Sequence, residues 1–218
     1  MTYEEVLKNE EIRTYIQKAD ESLVALGFTE HSFPHVCGVA HTAAYILRTL
    51  NYSEHEIEIA KIAAYMHDIG NLVNRIDHSQ SGAVLAFRLL DHMNMPADDV
   101  ATIVTAIGNH DEGTGVAVNP IAAALILADK SDVRRSRVRN NDIKTFDIHD
   151  RVNYSVNKSE LKINDERTEI TMNITIDTQY SSVMDYFEIF MGRMIMCRKA
   201  AEFLCLRFRL NINNQQLL

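Results

Sequence analysis

What the chain is short of narrows its reading first. Among 218 residues no apolar run reaches membrane-spanning length, because Lys, Arg, Asp or Glu interrupts each one. The opening residues, Met-Thr-Tyr-Glu-Glu, carry no secretory leader pattern. A soluble, cytoplasmic protein is therefore expected. Positive charge is in deficit: 22 Lys and Arg against 30 Asp and Glu leave a net charge of -8. That balance argues against an extended nucleic-acid or anionic-membrane surface, while leaving room for a local basic pocket. Cysteine is scarce, and Cys37, Cys197 and Cys205 are odd in number with no CxxC pair, so they read as reduced, buried thiols. There is no Gly-rich phosphate loop and no nucleophile elbow. What remains is an ordinary globular composition, 46% hydrophobic and 24% charged, in a chain long enough for one sizeable core with a smaller appendage.

Helical spacing dominates the first two thirds. A lead-in with Ile12, Tyr15, Ile16 and Leu23 stops at Gly27. The next helix opens at Phe33-Pro34, and its stripe is His35, Val39, Thr42, Ala43, Ile46 and Leu50. His41 points away from His35. Ser53 and Glu56 have capping-box spacing and start a helix in which Ala60, Ala63, Ala64 and His67 fall on one apolar stripe, with Asp68 next. For this pair alone two readings stay open, a metal-binding pair or a capped, salt-bridged helix end before Gly70. A polar loop over 71–77 leads to a helix opening at His78. After Met95-Pro96 another carries Val100, Ile103, Ala106, Ile107 and His110. Pro120 starts the last, with Ala122, Leu125, Ile126 and Asp129 inward.

One histidine on an apolar face is usually a satisfied core residue. Here His35, His67, His78, His110 and Asp129 come from five helices, each at the start or finish of such a face, with Asp68 beside them. His55 reads as solvated and His92 as structural.

From about residue 150 the period becomes two. Val152, Tyr154 and Val156, then Leu161 and Ile163, then Ile170 to Ile176 read as three strands, with Asn164–Arg167 as a hairpin connection. A long helix over 181–204, with Val183, Phe187, Phe190, Met191, Met194, Cys197 and Ala201 inward, precedes a last strand over 206–213. The expected fold is mainly α. A helical domain over 1–145 is followed by a small C-terminal α+β subdomain over 146–218, an antiparallel sheet plus one long helix in the order strand-strand-strand-helix-strand.

His35, His67-Asp68 and Asp129 resemble the H...HD...D pattern of the HD-domain superfamily of metal-dependent phosphohydrolases. His78 in His-Ser-Gln-Ser-Gly-Ala and His110 in Gly-Asn-His-Asp-Glu-Gly look like its variant with two metals. The resemblance covers residues 30 to 132 and implies an HD-type helical bundle. It implies that His35, His67, Asp68 and Asp129 bind one ion and His78 and His110 a second, with Asp68 as bridge. Mixed imidazole and carboxylate donors suit two divalent transition-metal ions, Fe or Mn first, with Co, Ni or Zn as further candidates. Two such ions activate a shared water for attack on phosphorus. The implied activity is hydrolysis of a phosphomonoester, phosphodiester or phosphoanhydride in a nucleotide or related small molecule. Asp68 and Lys130 are the candidate catalytic residues. Lys130 and Arg134 are the candidates for binding the phosphorylated substrate, and Asp111 and Asp132 for orienting histidine ligands. Arg137 and Arg139 read as a solvated turn. Two alternatives stand beside this: a di-iron oxygenase of the same superfamily, and a non-catalytic sensor or scaffold whose C-terminal sheet binds a partner or joins two copies as a homodimer.

Overall fold

Local signals for starting and stopping helices are realised almost one for one in the computed structural model, which describes residues 1–218. The lead-in forms α1 (Tyr3–Lys8) and α2 (Glu10–Ala25). Then come α3 (Phe33–Thr49), α4 (Glu54–Met66), α5 (His78–His92), α6 (Ala97–Gly108) and α7 (Pro120–Ser131). Ser53 and Glu56 close a reciprocal capping box at α4, and Pro34 and Pro120 sit in first turns, where a missing backbone N–H costs nothing. In α7 every residue from Ile121 to Ser131 is buried, which marks it as the central element, packed on by α3, α4 and α6. Its last turn therefore carries Asp129 and Lys130 into the interior.

The C-terminal third departs from its periodicity in three ways. Of the stretch from Val152 to Val156, expected as a strand, the residues up to Ser155 belong to α8 (Ile148–Ser155), and β1 (Val156–Ile163) begins only at Val156. Val152 and Val156 are also one helical turn apart, so their spacing fits both periods, and Asp147 caps the helix by accepting from the Asp150 N–H. Second, β1 and β2 (Glu169–Ile176) form the expected hairpin, but β2 pairs with β3 (Arg207–Ile212) in parallel, Ile170 facing Phe208 and Met172 facing Leu210. The sheet is mixed rather than antiparallel. The 21-residue α9 (Val183–Phe203) carries the chain back along the sheet, the crossover that parallel neighbours require. A short β4 (Gln215–Gln216) completes the order β1-β2-β3-β4. Third, the inward face of α9 includes Tyr186 and leaves Met191 exposed. Cys205 is exposed, not buried, at a left-handed turn after α9.

One cluster of 57 buried apolar residues runs from Tyr3 to Ile212, so α9 and the sheet share their core with α7. No helix is long and apolar enough to cross a membrane.

Candidate metal centre

Helix ends place the polar groups. His67 closes α4, and Asp68 follows it into a 3-10 turn over Ile69–Leu72. That turn lies directly on the first turns of α5: a Cβ on Gly70 would run into the backbone carbonyl of His78 and the backbone nitrogen of Gly82. Glycine at 70 thus lets His78 approach Asp68. His35 comes from the first turn of α3, His110 from just beyond α6 and Asp129 from the last turn of α7.

The structure brings all six sequence candidates together. Asp68 Oδ2 lies 3.3 Å from His67 Nε2 and 3.6 Å from His35 Nε2, while its Oδ1 lies 3.4 Å from His78 Nε2. Asp129 Oδ1 is 3.3 Å from His35 Nε2 and 3.6 Å from His67 Nε2. His78 Nε2 and His110 Nε2 are 3.2 Å apart. The ligand atoms of His35, His67 and Asp129 all fall within 4.8 Å of one another, as do those of His67, Asp68 and His110. His67 stands in both groups.

Four imidazoles share one orientation. His35 Nδ1 donates to Asp132 Oδ2 at 2.7 Å, His67 Nδ1 to the Ala64 carbonyl at 2.7 Å, His78 Nδ1 to the Arg75 carbonyl at 3.1 Å and His110 Nδ1 to the Ile107 carbonyl at 2.6 Å. With the Nδ1–H groups engaged by these acceptors, each ring turns its Nε2 inward, where the lone pair is offered to a cation once any proton on Nε2 has left. The Nε2 atoms of His35 and His67 are buried without a hydrogen-bond partner. Convergent lone pairs and carboxylate oxygens of this kind fit a cation, and the hydrogen bonds behind them are those that fix metal-ligating histidines.

Electrostatics agree. Burial opposes charge on Asp68 and Asp129, yet His67 holds Asp68 and Lys130 holds Asp129 well below the usual carboxylate range. Burial also opposes a proton on His67, but Asp68 and Asp129 outweigh it and push His67 up to about 10. His110, buried and beside His67 and Lys130, falls to about 3. The centre is a negative field that draws a cation to the imidazoles.

The flanking candidates divide. Lys130 is buried, with Nζ 2.8 Å from Asp129 and 3.9 Å from Asp111. Asp132 stands behind His35, whereas Asp111 faces the inner side of His78, 4.0 Å from Nε2. Arg134 turns away from the centre: Nη2 pairs with Glu30 and Nε with Asp132, both at 2.9 Å. Arg137, expected in a solvated turn, is buried, donating to the carbonyls of Glu30 and Asp132. The sequence reading missed His31, whose ring lies 5.5 Å from that of His35, and Arg75, 3.9 Å from Asp68. His31 precedes its helix and Arg75 sits in an irregular loop, so neither lies on a periodic stripe.

Against known proteins, the HD domain family profile matches residues 33–188. The match extends beyond residue 132 through α8, β1, β2 and the first turns of α9. An uncharacterized protein of Methanocaldococcus jannaschii is similar at 28% identity over 191 residues, covering 77% of this chain and 73% of that protein. The crystal structure of a predicted HD superfamily hydrolase from an uncultured Thermotogales bacterium is similar at 26% identity, with a TM-score of 0.45 over 62% of this chain and 75% of that one.

Proposed function

The chain belongs to the HD-domain family, and on that premise we propose that it is a metal-dependent hydrolase that cleaves a phosphoester or phosphoanhydride bond in a nucleotide or related small molecule. The observation that carries the reading is the set of four inward Nε2 atoms around Asp68 and Asp129, each ring tied through Nδ1. His35, His67, Asp68 and Asp129 would hold one divalent ion, and His78 and His110 a second, with the two Asp68 oxygens directed to the two groups. Fe or Mn suits these donors best. Such ions supply Lewis acidity to a phosphoryl oxygen and to water.

The chain's own groups do the rest. The fixed Nδ1 hydrogen bonds keep the imidazoles aimed without reorganisation. Lys130, anchored on Asp129, offers an ammonium group to the negative charge of a phosphoryl group beside the centre. Asp111, 3.9 Å from Lys130, limits where that ammonium can swing.

Protein stripped of metal and reloaded with Mn(II) or Fe(II) is expected to release phosphate from members of a nucleotide and phosphoester panel. His67→Ala and Asp68→Ala should fall to buffer background while keeping their far-UV circular dichroism. Equal rates with and without oxygen separate hydrolysis from oxygenase chemistry. A folded, metal-loaded protein inert across the whole panel would sink the hydrolase reading.

A further inference from the structure

A cavity of about 330 Å³, walled by Arg75, Arg137, Arg193, His31, His149 and Asn153, adjoins the metal centre and is left without a purpose by the hydrolytic reading. His31, beside His35, and Arg75, beside Asp68 and His78, stand between the two.

Each guanidinium is anchored along one edge only. Arg75 Nη1 reaches Asn71 Oδ1 at 3.3 Å. Arg137 Nε and Nη1 donate to the carbonyls of Glu30 and Asp132 at 2.9 and 2.7 Å. Arg193 Nε donates to Glu112 Oε1 at 2.6 Å, and its guanidinium lies 4.2 Å over the Phe190 ring. Arg75 Nη2, Arg137 Nη2 and both Arg193 Nη groups donate to no acceptor within the chain. Asp147 and Asp150 also line the cavity without pairing with these arginines: Asp147 caps α8, and Asp150 accepts from Asn140 Nδ2 at 3.3 Å. Arg75, Arg137 and Arg193 each have one carboxylate within 4 Å, at Asp68, Asp132 and Glu112, and their remaining N–H groups around one space suit an anion between them.

We propose that this cavity holds a second phosphate group, so that the substrate is a small molecule phosphorylated at two positions, one phosphate at the metal centre and the other among Arg75, Arg137 and Arg193. The volume suits a small ligand rather than a polymer. The assignment rests on the phosphohydrolase reading for the first phosphate only.

The test begins with metal-free protein, in which Asp68 and Asp129 repel anions and hydrolysis plays no part. Inorganic phosphate, followed by calorimetry, is expected to bind once per chain. Affinity should drop about tenfold in Arg193→Met, which keeps an unbranched apolar side chain and removes the charged hydrogen bonds. His149→Glu, at an exposed position of α8, brings an anion to the cavity wall and should weaken binding even if the first variant does not fold. With Mn(II) restored, a series of α,ω-alkanediol bisphosphates should contain a member whose KM is about tenfold below that of its monophosphate, an advantage lost in Arg193→Met. Absence of phosphate binding, or binding indifferent to both variants, overturns the proposal, as does a series without any bisphosphate preference. Phosphate binding with the expected variant effects but no hydrolysis of any member overturns the phosphohydrolase reading instead and leaves the anion site standing.

Discussion

Individual side chains at the centre depend on what stands behind them. Asp132 Oδ2 accepts from His35 Nδ1 and has Arg137 Nη1 3.7 Å away, while Arg134 holds Oδ1, and these partners keep its carboxyl well below the usual range against the pull of burial. Asp132→Asn is expected to weaken metal binding about 10- to 100-fold with little change in fold, measured by competition against a chelator; unchanged affinity would remove Asp132 from any role in aiming His35. The pH response of metal-free protein follows from two opposed shifts. His67 is raised to about 10, so it stabilises the fold below about pH 6.5 and loses that contribution as pH climbs toward 10. His110 is lowered to about 3, so the unfolded chain takes up a proton first and stability falls as pH drops from about 6.5 toward 3. Melting temperature in EDTA should peak near neutral pH. His67→Gln should flatten the alkaline limb and His110→Gln the acid limb; a curve unchanged by both would refute the assignment. These histidines could be found in the sequence because each begins or ends an apolar stripe. Arg137 and Arg193 could not, since a guanidinium's destination is set by the path of a loop and by the seating of α9, which no local spacing encodes.

Helices and strands carry the next set of consequences. The 3-10 turn after Asp68 rests on α5 with Gly70 at the contact, and Gly82 on the opposing helix has its own Cβ position only 3.2 Å from the Gly70 nitrogen. Gly70→Ala therefore has to push the two elements apart. A loss of about 1–3 kcal/mol in unfolding free energy is expected, together with fewer metal ions retained per chain as His78 withdraws from Asp68. Denaturant titration and elemental analysis check the two effects, and wild-type values in both would show that the contact gives way freely. The helices were legible from start signals such as Ser53 with Glu56 and Pro120, and from stripes ending in ligands. Two features were not. Val152 and Val156 satisfy both a two-residue and a four-residue repeat, so the helix that ends between them was hidden, and the alternation of Ile170, Met172 and Ile174 says which face is buried but nothing about the direction of the neighbouring strand.

For the molecule entire, the shared core decides how it comes apart. Buried residues of α9 and the sheet belong to the same apolar cluster as α3, α4 and α7. Urea unfolding followed by circular dichroism and by tyrosine fluorescence should give coincident single transitions; two separated transitions would mean that residues 146–218 fold apart from the rest. Arg193 ties the same regions through Glu112, so loss of α9 would open the arginine-lined cavity as well as the core. The parallel pairing of β2 with β3 also has a consequence for biogenesis. As the chain leaves the ribosome, β1 and β2 can zip into a hairpin at once, but the strand that covers the far edge of β2 follows only after the whole of α9. During that interval the β2 edge, with Ile170, Met172 and Ile174 along it, is an open template for another nascent chain. Slowing translation between α9 and β3 should therefore raise the insoluble fraction, and a chaperone that masks strand edges should restore the yield.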